Sequence, residues 1–436
     1  MPADRADISR AWRARRPTLR LTGALLFLGS LVWGCVGQTA GVALATSQAT
    51  RAAGSAADAA QAAAAIDAFG FDYYRAALTS GGNAVVSPAS IVLALSMAQA
   101  GARGETASQM DAVLHSAADA GSGNGINSLD QSLTGLSGTF KDRGNGDRQV
   151  TLRIANAPFA QRDLKLEQPY LDALASRFGA GLRLVDFKGD PAGSCSEING
   201  WVSNQTEGRI TKMLDSLDPL TRLVLVNAIY LKAPWLEPFD ESGTKDAPFT
   251  RTDATQVSVP TMSVYLNEAR YASGTGWQAV ELPYVNPALA MTIIVPDDLA
   301  AFERGLSGKS FSKIAAALEN ADVNLTLPRF KIETKSDLSA TLAKVGMPLA
   351  FDPGSADFSG ITTQEKLYIA KVIHQADISV DEKGTEASAA TAVVMAAGAM
   401  PGGPVTMHVD RPFIFALRDT NTGAILFLGR VVDPSA

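Results

Sequence analysis

The run from Thr221 to Lys232, TRLVLVNAIYLK, is apolar at nearly every position. A strand with one wet face alternates apolar and polar residues; a run without that alternation belongs to a strand covered on both faces. The chain must therefore build a sheet with protein packed above and below it. Further strands are expected from Met291 to Val295, ending in the turn Pro296-Asp297-Asp298, and from Val323 to Glu333, broken by Pro328. Phe413–Leu417 and Ala424–Val431 flank Asp419-Thr420-Asn421-Thr422-Gly423 and read as a hairpin. Helices are expected where Ile66, Phe69 and Tyr73 recur, and after Ser87-Pro88, a capping hydroxyl followed by a proline suited to the first helical position. That second helix stops at Gly101, and another starts near Thr106, with Gln109 completing a capping box. Residues 119–146 are polar and glycine-rich, loop-like in part. Strands and helices do not alternate regularly, which favours an α+β fold over a parallel βαβ sheet.

At 436 residues, with 46% hydrophobic and 19% charged residues, the chain can bury a large core in one big domain or two ordinary ones. A net charge of −6 excludes a general nucleic-acid binder, which needs a basic surface. The first 45 residues differ from the rest. Arg10, Arg13, Arg15, Arg16 and Arg20 precede an apolar run from Leu21 to Val36, too short to span a bilayer comfortably, and small residues follow. That is the layout of an export leader. Ala43-Leu44-Ala45 offers an ordinary cleavage exit, whereas Val32-Trp33-Gly34-Cys35 resembles a bacterial lipoprotein box, Trp33 departing from it, in which Cys35 would be lipidated. The division expected is a leader over 1–45, a linker over 46–57 and the folded domain over 58–436, placed outside the cell, in the periplasm, or on the envelope through Cys35. One other cysteine, Cys195, remains; it cannot form an internal disulfide and reads as a loop thiol without a role.

Enzyme motifs are weak. His115, His374 and His408 share no spacing that would put two on one helix face, so no metal site and no cofactor are expected. Ser310-Phe311-Ser312-Lys313 matches S-x-x-K, but its companion motif is absent, Lys383-Gly384-Thr385 having the wrong order, and the match reads as chance. In Lys371–Asp381, Val372, His374, Ala376, Ile378 and Val380 share one face of a strand, so His374 reads as a hydrogen-bonded core residue rather than a catalyst.

The segment after that strand, EKGTEASAATAVVMAAGAMPGGP from Glu382 to Pro404, is decisive. From Gly384 to Ala399 it has no aromatic residue and no charge beyond Glu386. Small side chains on both faces would let it slide between existing strands, and its threonines and valines favour extended structure. Glu382 through Thr391 resembles the hinge of inhibitory serpins. Asn83-Ala84-Val85-Val86-Ser87-Pro88-Ala89-Ser90-Ile91, with Val86 where the family has Phe, is similar to their early motif, and Asp218–Phe239 to their central strand. Leu327-Pro328-Arg329-Phe330, Asp357-Phe358-Ser359-Gly360 and Asp410-Arg411-Pro412-Phe413 through Gly429-Arg430-Val431-Val432 also match, in family order over about residues 58–434.

The resemblance implies one domain of three β-sheets and eight to nine helices, an exposed reactive-centre loop and a metastable native state. It implies a monomeric inhibitor rather than an enzyme, whose partner is a serine protease trapped as a covalent acyl complex. It assigns Gly384, Thr385, Glu386, Ala387, Ser388, Ala389 and Ala390 to the hinge, with Thr385 entering the sheet first. Trp235, Arg329 and Glu382 fall to the upper entry of the sheet, and Ser87, Ser90, Asn227 and His374 to a polar cluster where the central strands part. Counting seventeen residues from Glu382 places the scissile bond at Gly398–Ala399, with Met395, Ala396 and Met400 as fallback positions. Small residues there, and no Lys or Arg over 387–410, point to an elastase-like or subtilisin-like target. Residues 105–140 hold no Lys or Arg, so no heparin response is expected. The competing reading is a non-inhibitory serpin acting as a binding or chaperone-like protein; this hinge lacks the bulky, proline or added charged residues that such members carry.

Overall fold

The computed structural model describes residues 42–77, 81–115, 124–386 and 403–436. Cys35, Ala387, Ser388, Ala389, Ala390, Met395, Ala396, Gly398, Ala399 and Met400 lie outside the described residues. The apolar run becomes the strand Leu223–Pro234, near the middle of an eight-stranded sheet. It pairs antiparallel with Asp147–Gln161 and parallel with Lys371–Asp381. Period-two alternation divides its side chains between two cores. Leu223, Leu225, Ile229 and Leu231 join the main core with the helices Ala56–Ala77 and Pro88–Gln99. Val224, Val226 and Ala228 join a smaller core with Cys195, Ile198 and Val202 of the helix Pro191–Gln205 and with Ile210, Met213 and Leu214 beyond it. This is the double cover that the run demanded.

A second sheet has nine strands. Its strand Gln256–Gly274 is 19 residues long and joins what the resemblance implied as separate second and third sheets into one hydrogen-bonded ladder. Pro328, which has no N–H to donate, divides Val323–Glu333 between two sheets: Glu319–Pro328 belongs to the second and Phe330–Asp337 to the first. The hairpin Phe413–Asp419 with Ile425–Val431 forms as expected and is almost wholly buried.

Several local expectations need correction. The helix after Gly101 spans Gly104–Val113, two residues earlier than expected, and has no side-chain cap. The two residues assigned to a capping box bond to other elements: Thr106 Oγ1 accepts from Asp357 N and Gln109 Oε1 from Leu349 N. A helix Asn124–Thr134 forms within the glycine-rich stretch, since Ile126, Leu129 and Leu133 recur at helical spacing. Cys195 is helical and buried rather than in a loop; its Sγ donates to Leu214 O at 3.2 Å, and burial pushes the thiol up. Residues 46–55, read as part of a linker, lie as an extended arm bound to the domain. Ser47 Oγ donates to Asp172, Arg51 pairs with Asp130, and Ala52 N donates to Ser176 O at 2.9 Å. Ahead of the arm, Ala43–Ala45, the small-x-small exit, forms an edge strand against Leu182–Leu184.

Candidate functional site: a split in the central sheet

Lys371–Asp381 and Leu223–Pro234 lie side by side only over their lower halves, from Lys371 opposite Val224 to Ala376 opposite Ile229. At the lower part a closed polar cluster binds them. His374 Nε2 accepts from Ser87 N at 3.2 Å, and its Nδ1 meets Asn227 Oδ1. That pattern requires the neutral ring with its proton on Nδ1, and burial holds the imidazole down at about 3. Asn227 Nδ2 donates to Ser90 Oγ at 2.5 Å and to Asn156 Oδ1 at 2.6 Å, and Ser87 caps the helix by accepting from Ser90 N. Ser87, Ser90, Asn227 and His374 are thus brought together. Asn156, opposite Asn227 in the neighbouring strand, is a fifth member that sequence reasoning missed; its signal was an amide amid the apolar residues of RIANAPFA.

Above Ala376 the strands part. The top of the split is closed by a two-residue strand, Gly384–Thr385, paired with Ala233 and Pro234 on one side and with Val380 and Asp381 on the other. Gly384 has φ +148°, and a Cβ there would lie 2.2 Å from Ala233 O, so only glycine seats in this position. Thr385 is 1% exposed, and its Oγ1 lies 2.7 Å from Tyr284 Oη. Tyr284 stacks on Trp235 at 4.3 Å, and Trp235 Nε1 donates to Asp381 O at 3.0 Å. Glu382 is 3% exposed and takes two bonds from Arg329 Nε, at 2.8 and 2.9 Å, a third contact from Arg329 Nη2 at 2.6 Å, and one from Thr244. Burial works to raise this carboxyl, but the bonds from Arg329 and Thr244 outweigh it and hold it below its ordinary value. Trp235, Arg329 and Glu382 therefore meet at the upper entry, with Tyr284 and Thr244 as partners that no motif had marked.

Between the seated pair and the lower contacts lies an opening of about 550 Å³, lined by Ile229, Tyr230, Asp377 and Ser379 among others. Glu386, the last described residue of the hinge, turns at φ +48° and sets its carboxylate 3.4 Å from Arg209. Ser310 completes a capping box with Ser307 on the helix Gly308–Ala317. Among the described residues no cluster of His, Cys, Asp and Glu could hold a metal ion.

The architecture defines a class: an α+β protein with two cores on one sheet, the sheet split at one end and the root of the C-terminal loop seated in the split. A family model described as serpin (serine protease inhibitor) matches residues 64–434. An uncharacterized serpin-like protein of Thermococcus kodakarensis is 39% identical over 375 residues, covering 85% of each chain. The leukocyte elastase inhibitor of Equus caballus is 36% identical over 385 residues, 84% of this chain and 97% of the relative. Among solved structures, the thermophilic serpin tengpin in its native state superposes with a TM-score of 0.79 at 27% identity, over 90% of this chain and 100% of that one. The chain belongs to the serpin family.

Proposed function

We propose that this serpin is a suicide-substrate inhibitor of serine proteases, with an elastase-like or subtilisin-like target and the scissile bond at Gly398–Ala399. The protease serine attacks the Gly398 carbonyl, the Ala399 amine leaves, and the acyl ester stays joined to a loop that is free to add to the sheet. One observation carries this reading. The partner strands keep a single register across the split: Val380 and Ala233, which flank Thr385, are offset by 147 residues, and so are His374 and Asn227 below. A strand continuing from Thr385 would reach Thr391 opposite both His374 and Asn227, so the direct pairing of Lys371–Ala376 with Val224–Ile229 would be exchanged for pairing with the inserted strand on either side, with no shift of register. About ten new ladder bonds at roughly 1 kcal/mol net each would supply a driving force comparable with the stability of a whole domain.

Incubation with a panel of serine proteases should give an SDS-resistant adduct with an elastase-like or subtilisin-like member. Thr385→Arg, which would bury an unpaired charge at the entry, should convert the chain into a substrate that is cut and released. Cleavage without an adduct by every protease would sink the inhibitory reading; trapping retained in T385R would sink entry by this residue. Export is part of the proposal. The use of Ala43–Ala45 in the sheet supports a leader exit upstream of residue 42, at Cys35. The mass of the mature N-terminus, with and without Cys35→Ala, checks it.

A further inference from the structure

The opening in the sheet carries an electrostatic asymmetry that the insertion reading does not use. Asp377 stands on its edge. On its own strand, Gln375 Nε2 donates to Asp377 Oδ2 at 3.0 Å, and Ser379 and Asp381 follow on the same face. Across the ladder, Glu333 is its direct partner, a like charge where an opposite one would stabilise. Lys331, two residues away on that strand, pairs with Glu333 at 2.5 Å. The opening is lined, besides Asp377, by Tyr230 of the central strand, Arg209 from the segment after the helix Pro191–Gln205, and Glu386 of the hinge. Arg209 lies 3.4 Å from Glu386, so both cations near the opening already have another acid as partner. Asp377 Oδ1 is buried and has no hydrogen-bond partner. An ionised carboxylate with one oxygen buried and unpaired resists losing more water.

We propose that Asp377 is a proton-sensitive post at the edge of the opening, and that the central sheet accepts a further strand more readily when this carboxyl is protonated. The inference rests on the insertion reading. Burial first, then the charges of Glu333 and Glu386, already raise Asp377 to about 6, against the lowering bond from Gln375 and the field of Lys331. A strand filling the opening would remove the water that remains on its open side, favouring the neutral form further. The inserted form then binds the proton more tightly than the open form. The stability gained on insertion therefore grows as pH falls through the neighbourhood of 6.

The test compares intact protein with protein nicked in the loop by thermolysin, a metalloprotease that forms no acyl intermediate and cannot be trapped. The gain in guanidinium midpoint on nicking is read at pH 8 and pH 5.5. The wild type should show a gain larger by about 0.1 M or more at pH 5.5, and Asp377→Asn should show the larger gain at both. Asp67→Asn, a buried carboxyl far along the chain, should leave the pH dependence in place. A gain independent of pH in the wild type, or a dependence that survives in D377N, overturns the proposal. No gain on nicking at either pH would instead overturn the insertion reading itself, and this inference with it.

Discussion

Two buried groups at the residue scale set opposing pH dependences. Asp67, on the first helix, is 9% exposed, and its Oδ1 accepts from Ile425 N at 3.0 Å. Burial raises its carboxyl to about 7, against that bond and the field of Arg418. An acid whose folded value lies above its unfolded value near 4 penalises folding as pH rises from about 4 to 7, and the penalty is full above that. Asparagine keeps the acceptor without the charge. Asp67→Asn should therefore stabilise the intact chain at pH 8, by on the order of 1–2 kcal/mol, and change little at pH 4. Guanidinium unfolding at the two pH values checks this; equal effects at both would show that burial does not raise the Asp67 carboxyl. His374 runs the other way. Its folded value near 3 lies below the unfolded 6.5, so its contribution is full above 6.5 and is lost as pH falls toward 3. The Asp67→Asn comparison isolates one of these curves from the other.

At the element scale, the hinge strand is two residues long yet makes ladder contacts on both sides. Its seat depends on Gly384. Gly384→Ala would force a methyl against the Ala233 carbonyl in a left-handed conformation, at a cost of about 1–3 kcal/mol. The midpoint of the intact chain should fall accordingly, and an unchanged midpoint would mean that the hinge is not seated in solution. How much of this was legible follows from which interactions are local. The run at Thr221 announced a doubly covered strand, Ser87-Pro88 announced a cap, and Asp419–Gly423 announced a hairpin, because each signal is complete within a few residues. The small residues after Gly384 announced a segment able to enter a sheet, and motif resemblance grouped Trp235, Arg329 and Glu382. Asn156, Tyr284, Thr244 and Arg209 stayed hidden. Each acts through a partner at least 71 residues away in the chain, and none breaks the local pattern strongly enough to declare it. The arm over 46–55 was missed for the same reason: its composition reads as linker, and its partners lie on distant helices.

At the scale of the whole molecule, the length of the split sheet sets what the loop can accomplish. Continued from Thr385 in the present register, an inserted strand would bring Val394 opposite Lys371 and Val224, the last paired residues at the lower end. Nine residues at about 3.3 Å each span about 30 Å, the height over which the sheet can draw a strand in. An acyl ester at Gly398 would emerge four residues beyond that end, with slack enough for the protease to be carried the full distance and held against the body. An ester at or before Val393 would still lie inside the ladder, where a bound protease cannot follow, so insertion would halt and the ester would be hydrolysed. Adducts isolated on SDS gels after reaction with an elastase-like enzyme should therefore carry inhibitor chains ending between Met395 and Met400. Chains ending at or before Val393 should appear only as free product. Mass spectrometry of both fractions decides the matter: a stable adduct ending upstream of Val394 would mean that the ester need not clear the lower end of the sheet, and that the register drawn from Thr385 is not the one the inserted loop adopts.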